Sequence, residues 1–351
     1  MLSIDRFRRI IVAVFVFGSG MLTGCGEHAS DPADVPDMGV SGPGSFTAVP
    51  LRTSEILYAT PLGNLNPPGH TLPSDHVYFY WVDPDHRTTG DMSTMRTVYA
   101  PAGGYVFEVT GLGIPNTDHK VMVRTTNTFS YYLSHILLDS NITRGTTIRP
   151  GQRLGTTSPY SFAIDMGVIN DEVTLKGFAN PSRYPYQTLH AESPYRYFVQ
   201  PLRDSLYAIV RRTGADKDGK IDFDIPGKLA GAWFLKGLPT GQASAGPEGW
   251  PKHLAFVYDM IDPAAPRISI GGILSMRGVY GVIQPAPDFS SVTPSTGKVA
   301  FRLNSPFGFQ HISVGLMIVQ MVSSDTIRVE TFPLLNASTA DFDSAASTYT
   351  R

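Results

Sequence analysis

The segment Val77–Val82 reads VYFYWV and consists entirely of β-branched and aromatic residues. Such residues favour a β-strand. Similar short segments follow it, separated by Gly and Pro residues that mark turns. They lie at Tyr105–Val109, Lys120–Arg124, Phe129–Leu138 and Phe162–Val168. We therefore predict a β-rich first domain over residues 47–200.

A second set of strand-like segments fills residues 201–335. Several short strands at this spacing are typical of a β-barrel or a β-sandwich. The candidates are Leu206–Arg211, Leu229–Leu235, His253–Tyr258, Arg267–Ile273, Lys298–Leu303, Ile312–Val322 and Thr326–Phe332. Residues 336–351 are small and polar, so we predict a disordered tail there.

The composition favours an all-β fold with two β-rich domains. Of the 351 residues, 42% are hydrophobic and 17% are charged, and the chain contains 34 Gly and 28 Pro. This mixture suits short strands joined by turns better than long helices. The formal net charge of -2 gives no reason to expect a nucleic-acid partner.

The N-terminal residues have the three-part pattern of an export signal. Three arginines come first, an apolar run at Ile10–Phe17 follows, and the small residues before Cys25 complete it. The ending Leu22–Cys25 (LTGC) resembles the lipobox of bacterial lipoproteins. The resemblance implies a signal peptide over residues 1–24 and a lipid anchor on Cys25. The alternative is a signal-anchor helix in which the cysteine is incidental.

The lipobox resemblance also implies where the protein resides. We expect an exported protein, anchored by lipid to the cell membrane or the outer membrane and facing the periplasm or the exterior. Gly26 follows the cysteine, which favours the outer membrane by resemblance to lipoproteins of two-membrane bacteria. Cys25 is the only cysteine, so no disulfide is expected. Residues 25–46, rich in Pro and Gly, are predicted to form a flexible tether.

Five elements of the first domain occur in a characteristic order. They are His76 at the start of a strand, VYAPAGGYV at Val98–Val106, YLSHI at Tyr132–Ile136, IRPGQRLG at Ile148–Gly155, and FAIDMGV at Phe162–Val168. This order resembles the lysostaphin/LytM-type zinc endopeptidases, which cut peptidoglycan. The resemblance covers residues 70–170 and implies a LytM-like sheet; the Gly/Pro motifs alone also suit barrel-sandwich hybrids.

The resemblance transfers to some positions only. His76 matches the first zinc-binding histidine, and His135 matches a catalytic histidine. Tyr80 stands where the family has an aspartate, and Ala163 and Asp165 stand where it has a His-x-His pair. Two of the three expected metal ligands are therefore replaced.

This departure leaves two interpretations open. Zinc accepts carboxylate ligands, so His76 and Asp165 could hold Zn²⁺, with His70 or Asp75 as a further ligand or supporting group. A metal-bound water would then attack a peptide carbonyl, with His135 as the catalytic residue. In the other interpretation the domain is inactive and binds peptidoglycan or another cell-wall peptide or glycan. The sequence does not decide whether the chain is an enzyme.

Two further motifs have simpler explanations. Asp216–Asp224 (DKDGKIDFD) is similar to part of a calcium loop, but no glutamate stands at its closing position, which indicates an acidic turn. Gly231–Trp233 resembles the Gly-x-Trp that begins lipocalin barrels, and a core tryptophan explains it equally well. A carrier of a small apolar ligand in the second domain is therefore a third functional class.

Overall fold

The computed structural model describes residues 35–84, 90–113, 116–241, 244, 246–305 and 312–351. Within these ranges the protein is all-β, with two β-rich domains. The predicted signal peptide and the lipidation of Cys25 lie outside the described residues. No helix in the described part of the chain is both long and apolar enough to cross a membrane.

The first domain is built on a ten-stranded antiparallel sheet. Its strands are β1 (Tyr58–Ala59), β2 (His76–Tyr80), β3 (Thr97–Tyr99), β4 (Gly104–Gly111), β5 (His119–Thr126), β6 (Phe129–Leu138), β7 (Thr147–Ile148), β8 (Arg153–Thr157), β9 (Ala163–Asn170) and β10 (Ala191–Glu192). The main order is β1-β2-β9-β6-β5-β4-β7, with β3, β8 and β10 paired beside it.

The three adjacent strands β2, β9 and β6 separate apolar from polar side chains. In an antiparallel sheet, directly opposite residues share a face and neighbours along a strand alternate. One face therefore packs into the core and the other, here called the polar face, is mostly polar. The core side carries Val77, Phe79, Leu133, Ile164 and Met166. The polar face carries His76, Tyr78, Tyr80, Tyr132, Ser134 and Asp165.

Helices are short and few among the described residues. The α-helices are α1 (Tyr186–Leu189) and α2 (Leu202–Ile209). Single 3₁₀ turns lie at Thr53–Glu55, Met92–Thr94, Pro181–Arg183, Pro194–Tyr197, Trp250–Lys252 and Pro294–Thr296. The segment predicted as a strand at Leu206–Arg211 falls mainly in α2. Leu206 and Val210 are buried in the first core, so that core extends beyond residue 200.

The second domain is a closed barrel of eight antiparallel strands. They are β11 (Gly231–Leu235), β12 (His253–Tyr258), β13 (Pro266–Ile270), β14 (Gly278–Val282), β15 (Lys298–Asn304), β16 (Ser313–Met321), β17 (Thr326–Pro333) and β18 (Ser347–Thr350). A separate apolar cluster, including Trp233, Phe256, Phe301 and Tyr349, packs in the barrel. The prediction of a barrel or sandwich is thereby resolved as a barrel.

The last strand corrects the prediction of a disordered tail over residues 336–351. Ser347–Thr350 pairs with both β11 and β17 and thereby closes the barrel. Its residues are polar on the outside, but Tyr349 is fully buried in the barrel cluster. Backbone pairing on two sides orders a segment whose composition alone suggests a frayed end.

Candidate functional site

His76 and Asp75 form the buried half of a polar cluster. Nδ1 of His76 lies 3.0 Å from Oδ1 of Asp75. The same carboxylate accepts hydrogen bonds from Tyr132 Oη (2.9 Å), Thr188 Oγ1 (2.6 Å) and Gln187 Nε2 (3.2 Å). Burial acts against the charged carboxylate, but hydrogen bonds from His76, Thr188 and Tyr132 outweigh it and hold the pKa of Asp75 well below its usual range.

Strand β9 makes room for the tyrosine that supports this cluster. Gly167 lies opposite both His76 and Tyr132 in the sheet. A Cβ added at Gly167 would lie 2.1 Å from Cζ of Tyr132. The glycine therefore lets the Tyr132 ring cross β9 and reach Asp75.

His135 takes its position from a β-bulge. The pairing of β5 with β6 shifts between Lys120↔Ser134 and His119↔Ile136, so His135 is the extra residue. Its φ is +65°, which is costly for a residue with a Cβ. Bulges near functional sites re-aim side chains, and strain of this kind is often retained at such sites.

The His135 imidazole lies between two carboxylates. Its Nδ1 is 2.9 Å from Oδ2 of Asp118, and its Nε2 is 3.5 Å from Oδ2 of Asp165. Burial disfavours the imidazolium, but the charge of Asp165 and the hydrogen bond to Asp118 outweigh it and raise the pKa of His135 to about 9. His135 is therefore a cation at neutral pH, and its side chain is 33% exposed.

Asp165 lies at the centre of the polar face. Its Oδ2 is 3.5 Å from Nε2 of His76 and 3.5 Å from Nε2 of His135. Its Oδ1 is buried and has no hydrogen-bond partner among the described residues. A buried carboxylate oxygen without a donor is unfavourable, so this atom marks a functional or strained position.

His70 lies beside this group. Its ring centroid is 5.1 Å from that of His76, in an edge-to-face arrangement. Burial, together with the nearby His76, lowers the pKa of His70 to about 4. His70 is therefore a neutral imidazole at neutral pH.

Tyr78 lies on the same face as His76, two residues further along β2. Its hydroxyl is 2.9 Å from Nε2 of His76. Tyr80, which replaces the family's aspartate, lies further away and stacks on Tyr58 at 4.5 Å between ring centroids. Tyr78 is therefore the hydroxyl that contacts the predicted ligand His76.

The polar cluster contains some of the residue types found in zinc sites. His76, His135 and Asp165 are the residue types that bind zinc, and carboxylates hold the Nδ1 atoms of both histidines. However, the Tyr78 hydroxyl already occupies Nε2 of His76. Across the described ranges, no group of three or more His, Cys, Asp or Glu side chains is placed to hold a metal ion. The residues therefore do not fit zinc in this conformation.

The structure thus brings together the residues singled out in the sequence: His70, Asp75, His76, His135 and Asp165. Their roles as metal ligands or catalytic residue stay predictions. Sequence reasoning missed Tyr78, Asp118, Tyr132, Gln187 and Thr188. Only Tyr78 carried a usable signal, because alternation along β2 places it on the same face as His76.

The acidic segment Asp216–Asp224 ties parts of the chain together. Asp218 accepts hydrogen bonds from Arg196 and Tyr207, at 2.7 and 2.9 Å. Asp222 accepts one from the Gly177 amide at 2.9 Å. These contacts agree with the interpretation as a structural turn.

Comparisons with solved structures found partial similarities. The SpoIIQ–SpoIIIAH pore-forming complex matches at 15% identity and TM-score 0.30, over 46% of this chain and 95% of that one. A zinc-containing peptidase from Vibrio cholerae matches at 12% identity and TM-score 0.26, over 36% and 37%. The catalytic domain of lysostaphin from Staphylococcus simulans matches at 14% identity and TM-score 0.25, over 40% and 87%.

This chain spans little more than a third of the Vibrio peptidase that it matches. No family model and no curated protein matches the chain. Peptidase-like structures are thus among the partial matches, but these identities and TM-scores are too low to assign a family or an activity.

Proposed function

We propose that the protein is a cell-envelope lipoprotein whose first domain binds peptidoglycan or a related cell-wall peptide or glycan. The polar face of β2, β9 and β6 would be the binding surface. The observation that carries the proposal is His135, a cation held at φ +65° by a bulge and left partly exposed above buried carboxylates. Such strain is expected where a side chain must be presented to a ligand.

The backbone of His135 is hydrogen-bonded to a loop whose exposed apolar residues support a recognition surface. The Ser158 amide donates to the His135 carbonyl, and the adjoining loop carries Tyr160, which is 41% exposed. The Gly90 amide donates to Pro159, and Met92 on that neighbouring segment is 65% exposed. A charged imidazole near exposed apolar side chains can provide both orientation and contact area for a peptide.

Binding is favoured over hydrolysis because His76 is already fully hydrogen-bonded. Metal-dependent peptide hydrolysis is the second candidate. Its support is that Nε2 of His76 and Nε2 of His135 both approach the same oxygen of Asp165 at 3.5 Å. The carrier function has no comparable support, since apolar side chains of the described barrel form a packed cluster.

Co-sedimentation with purified peptidoglycan sacculi tests the binding proposal. The full-length protein in detergent should sediment with sacculi, and His135→Ala should reduce the bound fraction at least about tenfold. Arg153→Ala is the control, because Arg153 is an exposed cation that pairs with Asp139 and not with a carboxylate of the polar face. Failure of the unmodified protein to sediment would contradict binding.

The same incubation separates the two candidates. Release of soluble peptidoglycan fragments that stops when zinc is chelated would favour hydrolysis. Sedimentation without release would favour a binding domain.

Lipid anchoring is proposed on the Leu22–Cys25 motif. Cys25→Ser should move the protein from the membrane fraction to the soluble fraction. Persistence of this variant in membranes would contradict a lipid anchor and favour a signal-anchor helix.

A further inference from the structure

Both ring nitrogens of His76 have partners inside the protein. Nδ1 faces Asp75 at 3.0 Å, and Nε2 faces the Tyr78 hydroxyl at 2.9 Å. Both His76 and Tyr78 are buried, with 8% of each residue exposed. Water therefore competes little for either contact.

The Asp75 carboxylate determines where the protons lie in the hydrogen bonds that link Asp75, His76 and Tyr78. The Asp75 carboxylate can only accept hydrogen bonds, so Nδ1 of His76 carries the proton that faces it. Nε2 then offers its lone pair to the Tyr78 hydroxyl, which lies 2.9 Å away.

The remaining geometry is close to that of a metal site. With zinc–ligand bonds of about 2.0–2.1 Å, two ligands of a tetrahedral zinc are about 3.3–3.4 Å apart. The two distances from Asp165 Oδ2, to Nε2 of His76 and of His135, are both 3.5 Å. Asp75 and Asp118 hold the outer nitrogens, as carboxylates do behind zinc-bound histidines.

We infer that the Tyr78 hydroxyl is the group that prevents metal binding at this site. By donating to Nε2 of His76 it occupies the lone pair that a metal would need. The Tyr78 oxygen thus blocks one nitrogen in a set of two histidines and one carboxylate, and His135 would release its Nε2 proton on binding a metal. The inference rests on the proposed metal-free function of the domain and names the residue responsible for it.

Tyr78→Phe tests this by removing only the hydroxyl. After incubation with zinc and extensive dialysis, we expect well under one equivalent of zinc in the unmodified protein. Tyr78→Phe should retain about one equivalent, with affinity at least about tenfold higher by calorimetry. The double variant Tyr78→Phe/His76→Ala should lose it again. Tyr80→Phe is the matched control, because it removes a tyrosine hydroxyl from the same face two residues away.

Two results would overturn the inference. One is an unmodified protein that binds one equivalent of zinc and loses it in His76→Ala. The other is a folded Tyr78→Phe that binds no more zinc than Tyr80→Phe. If Tyr78→Phe is unfolded by circular dichroism, Tyr78→Leu replaces it with the same expected gain.

The outcome is separable from that of the proposed function. Zinc uptake by Tyr78→Phe beside a failure to bind sacculi would uphold the role of Tyr78 and reject peptidoglycan as ligand. Sacculus binding without zinc uptake by Tyr78→Phe would support peptidoglycan as ligand and reject the role of Tyr78.

Discussion

Nε2 of His135 lies 3.5 Å from Oδ2 of Asp165. The positively charged imidazolium of His135 therefore lies beside the negatively charged carboxylate of Asp165. A second carboxylate, Asp118, holds the other side of the ring at 2.9 Å. The polar face therefore holds its central carboxylate beside a protonated histidine.

His135 is predicted to titrate far above a free histidine, with a pKa of about 9. Asp118→Asn removes the charge that holds Nδ1, so the pKa of His135 should fall in that variant. NMR titration of the histidine rings measures the pKa of His135 in the unmodified protein and in the variant. The His70 ring should be distinguishable in the same titration, because its pKa is lowered to about 4. A His135 pKa near 6.5 in the unmodified protein would contradict the ion pairs described above.

The sign of the effect on stability follows from the raised pKa. A group that binds its proton more tightly when folded stabilises the protein fully below its unfolded pKa. The contribution of His135 is thus complete below a pH of about 6.5 and is lost as the pH rises through about 9. Asp118→Asn should therefore weaken this alkaline dependence of the unfolding free energy.

The strands were predictable where local sequence and tertiary position agree. The segment VYFYWV is β-branched and aromatic, and β2 forms within it. Leu206–Arg211 also looked strand-like, yet α2 forms there because it buries Leu206 in the first core. β18 was missed because its order comes from pairing with β11 and β17 rather than from its own composition.

The site was predictable only in its motif residues. His76, His135 and Asp165 lie in segments with a recognisable order. Thr188 contacts Asp75 across 113 residues of sequence and belongs to no motif. Such supporting contacts arise from the way α1 packs against the sheet, which no local pattern encodes.

Thr188→Val is predicted to weaken the hydrogen bonding that stabilises the Asp75 carboxylate. It removes the 2.6 Å hydrogen bond to Oδ2, and a hydrogen bond to a charged group contributes about 1.5–3 kcal/mol. The pKa of Asp75 should rise, so acid unfolding should begin at a higher pH. The sign follows because a carboxyl with a depressed pKa stabilises the fold above its unfolded pKa and loses this as the pH falls.

The control for this variant is Thr143→Val. Thr143 is exposed, and its hydroxyl lies 3.4 Å from that of Thr146 in the same turn. Its unfolding free energy should stay within about 0.5 kcal/mol of the unmodified protein. Equal effects of the two variants would show that Thr188 does not support Asp75.

Gly167→Ala is predicted to displace Tyr132. The new Cβ would lie 2.1 Å from the Tyr132 ring, and moving the ring breaks its 2.9 Å contact with Asp75. Overpacking of this kind costs about 1–3 kcal/mol, measurable by chemical denaturation. Gly111→Ala is the control, because no atom of the described residues lies within 4 Å of its added Cβ. An unchanged stability of Gly167→Ala would mean that the ring can move freely.

Arg351→Ala is predicted to loosen the junction between the two domains. The guanidinium stacks 4.0 Å above the Trp233 ring and donates to the carbonyls of Ile225, Lys228 and Leu229, among others. Nearby, Asp224 accepts from the Ala232 amide in the barrel and from Tyr184 in the first domain.

Arg351→Ala should lower the unfolding free energy substantially, because Arg351 and Asp224 are buried. Burial raises the pKa of Asp224 and the charge of Arg351 acts against this, so removing the arginine takes a favourable charge away from a buried carboxylate. Each hydrogen bond from a charged donor contributes about 1.5–3 kcal/mol, and Arg351 makes several, so we expect a loss of at least that size. Arg351→Lys should recover only part of it, since an ammonium cannot stack flat on the indole and reach several carbonyls together. Arg153→Ala, at an exposed ion pair, should cost less than about 1 kcal/mol. Urea unfolding curves of the three variants measure the difference, and similar losses for Arg351→Ala and Arg153→Ala would contradict this role of Arg351.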